Sequence, residues 1–217
     1  MWYDNLFQEL EQLKDNKQAE KMSAYMQNRY EFLGIPKPKL QEIAKPYLKE
    51  SRKYDFDWEF VNICWNKEYR EAQYIAINYL SMNSKKFTDK DLPKLKQLII
   101  NKSWWETVDS LDAMVGRIVL KYETLEKTML EWSASDNIWL KRVSIDFQQE
   151  YKDKTNTELL EKIICNNLGI NEFFVNKAIG WSLRDYSKVN PEWVKGFLTK
   201  YKEQLSTLSI KEASKYL

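Results

Sequence analysis

The chain has 217 residues, of which 43% are apolar and 30% charged, a balance typical of a globular domain with a well-solvated surface. It contains no histidine, five scattered glycines and two cysteines, which excludes histidine-dependent nucleophiles, glycine-rich phosphate loops, most zinc sites and iron–sulfur clusters. The net charge of +2 and pI of about 8.3 are weak support for nucleic-acid binding. Chemistry therefore has to come from carboxylates, arginine, lysine and aromatic side chains.

The N-terminus and the cysteines indicate a compartment. There is no run of 18 apolar residues and no basic N-terminus followed by an apolar stretch, so we expect neither a membrane span nor a secretory signal. Cys64 and Cys165 lie in apolar patterns and are expected to be buried free thiols. These features predict a cytoplasmic protein in a reducing environment.

The first part of the chain predicts three helices. An amphipathic helix is expected over residues 6–13, and a second over 19–32, where apolar and aromatic residues recur at helical spacing up to Gly34. A third helix passes through Leu40 and Ile43, and Pro46 is expected to end or kink it.

From residue 70 onward a two-helix unit recurs. Polar breaks at 83–84, 133–136 and 166–169 separate the helices, and equivalent apolar positions follow at intervals of 36, 35 and 35 residues: Ala72, Val108, Val143 and Ala178. A pair of helices with this period cannot bury its own apolar face, so successive pairs stack. We predict an all-α fold, an α-solenoid of stacked two-helix repeats with a concave groove, as a single domain over residues 1–217.

The stretch SWWETVD at residues 103–109 carries the most specific signal. On a helix, Trp105 and Asp109 would lie one turn apart on the same face. An aromatic face beside a carboxylate suits a flat, positively charged partner. The alternative is structural, because tryptophan pairs commonly pack between helices and an aspartate near a helix start commonly caps it or interacts with its dipole.

The repeat predicts which other side chains share a groove with this stretch. Arg142 and Lys177 occupy the same slot in successive repeats, and Trp181 lies one turn beyond Lys177. The predicted groove comprises Trp105, Asp109, Arg142, Lys177, Trp181 and Arg184, with Lys188 extending its basic character. The alternative places Arg142 and Lys177 on the solvated exterior and Trp181 in the core.

Three segments, taken in order, resemble a known family: KSWWETVDS at 102–110, ASDNIWLKR at 134–142 and FFVNKAIGWSLRDY at 173–186. They are similar to the AlkD family of bacterial DNA glycosylases, which are HEAT-like-repeat alkylation-repair proteins. Residues 19–26, 32–35 and 208–213 are also similar, so the resemblance covers nearly the whole chain.

The resemblance implies hydrolysis of the N-glycosidic bond of N3- or N7-alkylated purines in duplex DNA, such as 3-methyladenine and 7-methylguanine, leaving an abasic site. It implies a protein that needs no metal or nucleotide cofactor. It further implies that the base is not extruded from the duplex, unlike in most glycosylases. We expect a monomer with no obligate protein partner.

The resemblance also implies roles for individual residues. An alkylated purine is a positively charged leaving group, so positive charge moves to the deoxyribose as the bond breaks. Asp109 would stabilise that charge and orient the attacking water, while Trp105 and Trp181 would flank the sugar. Arg142 would hold a backbone phosphate. Further candidates for contacts to DNA are Tyr25, Lys37, Lys177 and Arg184.

Several alternatives stay open. Glu106 and Asp112 are rivals for the carboxylate role, with Glu106 expected to be solvated. Four tryptophans (Trp65, Trp104, Trp132 and Trp139) are expected to pack between helices, and Asp136-Asn137 to cap a helix. The alternative function is a non-catalytic HEAT-like DNA-binding or protein-interaction module.

Overall fold

The computed structural model describes all 217 residues, and it is helical throughout. No β-strand forms, and one isolated bridge joins Glu31 to Tyr69. The chain packs as two compact units, a first unit of Met1–Ser84 and a second unit of Lys85–Leu217. No helix has both the length and the apolar character needed to cross a membrane. The predicted all-α class is confirmed.

The first unit holds five α-helices, which are α1 (Leu6–Gln12), α2 (Asn16–Tyr25), α3 (Lys37–Glu50), α4 (Trp58–Asn66) and α5 (Arg70–Asn83). The predicted helix over 19–32 is wrong in its second half, because Gln27 and Asn28 adopt left-handed φ values of 56° and 55° that end the helix. Pro46 does not end α3, since proline has a helical φ and removes a single intrahelical hydrogen bond.

A buried carboxylate fixes the turn between α2 and α3. Glu71 on α5 accepts hydrogen bonds from the backbone N–H groups of Leu33 (3.0 Å), Gly34 (2.9 Å) and Ile35 (3.1 Å). Gly34 has a φ of 93°, a value that side-chain-bearing residues rarely adopt. This turn therefore sets the geometry of the two helices that carry Tyr25 and Lys37.

The second unit consists of helix pairs. Its helices are α6 (Leu92–Ile100), α7 (Trp105–Lys121), α8 (Glu126–Ser133), α9 (Ile138–Asp146), α10 (Thr157–Cys165), α11 (Phe173–Ser187), α12 (Pro191–Lys200) and α13 (Thr207–Ala213). The second helices of successive pairs, α7, α9, α11 and α13, pack side by side. Val108, Val143, Ala178 and Ala213 follow one another at intervals of 35 residues, and each is 0% exposed. The predicted repeat is confirmed and continues into α13.

An aromatic cluster with the same period joins three of these helices. Trp104, Trp139 and Phe174 lie 35 residues apart, and their ring centroids are separated by 4.9 to 5.9 Å. The predicted packing role of Trp104 and Trp139 is confirmed, as is that of Trp65 and Trp132, which are also buried.

Of two smaller predictions, the cap of α9 is confirmed and the burial of both cysteines holds for one of them. Asn137 caps α9 by accepting from the N–H groups of Trp139 (2.9 Å) and Leu140 (3.2 Å), as expected. Both cysteines are free, but only Cys64 is buried; Cys165 is half-buried on the last turn of α10.

Candidate functional site

The second unit has an open pocket of about 140 Å³. It lies between the N-terminal half of α7, the middle of α9 and the first turns of α11. Its lining consists of Trp105, Asp109, Arg142, Phe173, Phe174, Lys177 and Trp181. Five of these seven residues are predicted groove residues. The stacked second helices bring them together from positions up to 76 residues apart.

A two-pronged ion pair forms one wall of this pocket. Arg142 donates from Nε to Asp109 Oδ1 at 2.7 Å and from Nη2 to Asp109 Oδ2 at 2.9 Å. Its Nη1 donates to the backbone carbonyl of Phe174 at 2.8 Å. The Arg142 side chain is 1% exposed and that of Asp109 is 26% exposed. The guanidinium of Arg142 is thus buried and holds the Asp109 carboxylate, which reaches solvent. The exterior position considered for Arg142 is wrong.

Trp181 lies at the centre of three cationic groups. The guanidinium carbon of Arg142 is 5.2 Å from its ring, the Lys177 Nζ is 5.6 Å away and the guanidinium carbon of Arg184 is 5.7 Å away. All three fall within the range of cation–π attraction. Trp181 is half-buried and lines the pocket, so the core position considered for it is wrong.

A second carboxylate lies behind the ion pair. Asp146 is fully buried, with its Oδ2 3.8 Å from Arg142 Nη2, and its Oδ1 accepts from Gln149 Nε2 at 2.6 Å. Burial raises the pKa of Asp146 to about 7, against the opposing effect of Arg142. Arg142 therefore faces two carboxylates, of which Asp109 is the one that it bonds on both oxygens.

The two rival carboxylates have different surroundings from Asp109. Asp112 is half-buried beside a second pocket of about 290 Å³, which is lined by acidic residues that include Asp146 and Glu150, and by Asp109 itself. Loss of hydration and the neighbouring Asp146 and Asp109 raise the pKa of Asp112 well above its usual range. Glu106 is half-buried, so its predicted solvated position is wrong.

One charged residue at this site was missed by sequence reasoning. Glu212 on α13 is buried, and its carboxylate accepts from Lys177 Nζ (2.7 Å), Arg184 Nη1 (2.7 Å) and Lys215 Nζ (2.9 Å). Hydrogen bonds from Lys177 and Lys215 lower the pKa of Glu212 to about 2. Phe173 and Phe174 were missed as well. The 35-residue period is the signal that could have found two of the three, since Glu212 follows Lys177 and Phe174 follows Trp139 at that distance.

The remaining predicted contacts lie elsewhere. Tyr25, with 75% of its surface exposed, ends α2, and the exposed Lys37 begins α3, both in the first unit. The contacts of Tyr25 and Lys37 to DNA stay predictions. Lys188, predicted to extend the basic character of the groove, is exposed and pairs with Asp185 at 3.0 Å. Nowhere do three acidic or cysteine side chains converge with the geometry of a metal site.

Comparison with known proteins gives a consistent result. A solved structure described as a predicted DNA alkylation repair enzyme from Enterococcus faecalis is 37% identical, covers 94% of this chain and 96% of its own, and superposes with a TM-score of 0.86. AlkD2 from Streptococcus mutans is 20% identical over 82% of this chain and 90% of its own, with a TM-score of 0.63, and shows the fold. Comparison with curated proteins gave no significant match.

The sequence model of the DNA alkylation repair enzyme family matches residues 6–217, so the match runs through both units. This protein therefore belongs to the family of DNA alkylation repair enzymes.

Proposed function

We propose that this protein is a monofunctional alkylpurine-DNA glycosylase, which hydrolyses the N-glycosidic bond of positively charged N3- or N7-alkylated purines in duplex DNA. The observation that carries the proposal is the Asp109 carboxylate, held on both oxygens by a buried guanidinium at the wall of a small aromatic pocket. Membership of a DNA alkylation repair family supports the choice of substrate.

The reaction needs a fixed negative charge more than it needs a strong acid. As the bond between C1′ and the purine nitrogen breaks, its electron pair neutralises the cationic base, and positive charge develops on the deoxyribose. A carboxylate about 4 Å from that charge contributes roughly 4 kcal/mol at an effective dielectric of about 20. A barrier lowered by that amount is worth on the order of a thousandfold in rate.

Asp109 also has the hydrogen-bonding capacity to orient water. Each carboxylate oxygen has two acceptor positions, and Arg142 uses one on each oxygen. The other two are available to a water molecule that attacks C1′ and passes its proton to the carboxylate as the C–O bond forms. Because Arg142 fixes both oxygens, the carboxylate need not reorganise during the reaction.

The aromatic side chains suit a sugar held at the DNA surface. We propose that Trp105 and Trp181 flank the deoxyribose and contact its developing positive charge. The pocket of about 140 Å³ is small beside the roughly 300 Å³ or more of ordinary ligand pockets. Its size favours cleavage without extrusion of the base.

Basic residues would bind the flanking phosphates. Lys177 and Arg184 are one-quarter exposed beside Trp181 and are the proposed phosphate contacts of the second unit. Contacts from Arg142, Tyr25 and Lys37 are part of the proposal as well. Three N–H groups of Arg142 already donate to Asp109 and to the Phe174 carbonyl, so a phosphate would have to bind the remaining N–H groups of Nη1 and Nη2.

The test is release of 7-methylguanine from methylated duplex DNA in the presence of EDTA, with wild type beside Asp109→Asn. Release by the wild type alone supports a metal-independent glycosylase that uses this carboxylate. No release by either protein, with duplex binding intact, would overturn the proposal in favour of a non-catalytic DNA-binding module.

A further inference from the structure

We propose that Glu212, on the C-terminal helix, is a positioning residue for the excision reaction: it holds Lys177 and Arg184 beside Trp181 as a pre-formed clamp for one DNA phosphate. The inference rests on the proposed glycosylase function and extends its site to α13, a helix to which the sequence assigned no role.

The Glu212 carboxylate lies between the two cationic groups and bonds both of them. Glu212 bonds the two cations beside Trp181 through different oxygens: Oε1 accepts from Lys177 Nζ and Oε2 from Arg184 Nη1, both at 2.7 Å. Both cationic groups are also within 6 Å of the Trp181 ring. One buried carboxylate therefore fixes two long, flexible side chains against the tryptophan proposed to contact the sugar.

Close packing of α13 against α11 holds Glu212 in place. A Cβ added at Gly180 would lie 2.5 Å from Glu212 Cβ and 3.0 Å from the Ser209 carbonyl oxygen, so the two helices are in direct backbone-level contact there. Ser209 Oγ donates to the carbonyl of Asn176 at 2.7 Å. The backbone that carries Glu212 is thus held in place, which makes its carboxylate a fixed point.

The group of side chains around Glu212 carries a net positive charge. Glu212 meets three cations, Lys177, Arg184 and Lys215, so the cluster keeps a net charge of about +2. Lysine has three N–H donors and arginine five, and Glu212 accepts one from each partner. The remaining donors of Lys177 and Arg184, whose side chains are one-quarter exposed, can bind a phosphate in place of water.

The experiment separates binding from rate with Glu212→Gln. Lys177 and Arg184 bond different oxygens of Glu212, and in glutamine one of these two oxygens is replaced by an NH2 donor, so one of the two cations loses its acceptor. We expect single-turnover excision of 7-methylguanine at saturating protein to fall about tenfold or more, since misplacement of substrate-positioning groups costs rate. The Kd for undamaged duplex at matched salt should stay within about twofold, because every phosphate-binding cation remains.

One control variant matches this change. Glu161→Gln removes a carboxylate that also joins two helices, through Lys200 Nζ (2.8 Å) and Tyr201 OH (2.7 Å), and that does not line the pocket. It should excise at the wild-type rate.

Two results would overturn the proposal. Wild-type excision by folded Glu212→Gln would reduce Glu212 to a structural residue. Faster excision with tighter binding would mean that Glu212 competes with DNA for the two cations.

A second readout keeps this inference distinct from the proposed function. A duplex carrying a protonated pyrrolidine in place of the deoxyribose imitates the sugar cation without any reaction. Wild type should prefer it to undamaged duplex, and Glu212→Gln should lose about tenfold of that preference. If wild type releases no base, the glycosylase proposal fails. The Glu212 proposal is then tested by the preference for the pyrrolidine duplex alone. An equal preference in wild type and Glu212→Gln would refute that proposal.

Discussion

Two ion-pair clusters flank Trp181, and they have opposite polarity. In the first, the basic member is buried and the acid is accessible: Arg142 is 1% exposed and Asp109 26%. In the second, the acid is buried and the bases are accessible: Glu212 is 7% exposed by its side chain, and Lys177 and Arg184 are 24% and 25% exposed.

The difference shows how one packing arrangement can present either sign of charge. Arg142, Lys177 and Glu212 occupy one slot, repeated every 35 residues, on the inner helices of successive pairs. The buried member of each cluster reaches back to the preceding helix, Arg142 to Asp109 and Glu212 to Lys177. Under the proposed function, the negative face would meet the sugar cation and the positive face would bind a phosphate, within one short stretch of the surface.

Removing the accessible charge of the first cluster should have the largest effect. Asp109→Asn should lower single-turnover excision of 7-methylguanine by on the order of a thousandfold, because the charge that we propose to face the sugar is lost. Duplex affinity should be retained. The variant also leaves Arg142 buried with less compensation, so its unfolding temperature should be measured and assays kept below it.

The matched control is Asp112→Asn, which changes the rival carboxylate on the same helix. It should excise at close to the wild-type rate. The opposite result, with Asp112→Asn inactive and Asp109→Asn active, would move the catalytic role to Asp112.

Changing the buried support should have the next largest effect. Arg142→Lys keeps the charge, but an ammonium cannot bond both oxygens of Asp109 and the Phe174 carbonyl in one plane. We expect excision to fall about 100-fold with little change in the salt dependence of duplex binding. Arg117→Lys, at an exposed arginine of α7, is the control and should behave as wild type.

Arg142→Ala decides the predicted phosphate contact. A contact in the complex requires weaker binding to all duplexes and a salt slope smaller by about one. An unchanged slope would show that Arg142 acts only through Asp109.

The contact between α11 and α13 can be tested by a pair of glycine substitutions. Gly180→Ala places a methyl group against Glu212 and Ser209, so the free energy of unfolding should fall by about 1–3 kcal/mol. Gly196→Ala, in exposed α12 with no atom within 4 Å of the added Cβ, should raise it by about 0.5–1 kcal/mol. Urea denaturation midpoints measure both changes, and equal effects at the two sites would contradict the close packing.

The smallest expected effect is a pH dependence that comes from Asp146. Its folded-state pKa of about 7 is above the roughly 3.9 of an unfolded aspartate. Its stabilising contribution is therefore complete below about pH 4 and is lost as pH rises through about 7. The groups that face it are Arg142, Asp109 and Asp112 as charges and Gln149 as a hydrogen-bond donor.

Asp146→Asn removes this titration. The difference in unfolding temperature between variant and wild type should move in favour of the variant by a few degrees as pH rises from about 4 to about 7. A difference that is constant across this range would show that Asp146 is ionised throughout.

The sequence predicted the helical repeat well because burial recurs at one position of every repeat. Val108, Val143 and Ala178 are apolar and small enough to face a neighbouring helix, and all three are fully buried. Local signals were less reliable. The helix predicted through residue 32 ends at Tyr25, where two consecutive left-handed residues, Gln27 and Asn28, turn the chain and bond back to Ala24 and Ser23. The spacing of apolar residues contains no signal for such a turn.

The sequence by itself determined the all-α class, the 35-residue period and most of the side chains that line the pocket, because these follow from apolar spacing and from residues that recur within it. Tertiary structure decided which member of each ion pair is buried. A charge leaves water at low cost only where a partner meets it with suitable geometry. For Arg142 and Glu212 such partners, Asp109 and Lys177, come from another helix and lie 33 and 35 residues away in the chain. The exposed Asp109 and the buried Glu212 are alike as carboxylates in the sequence, and the packing of helices around them gave them opposite roles.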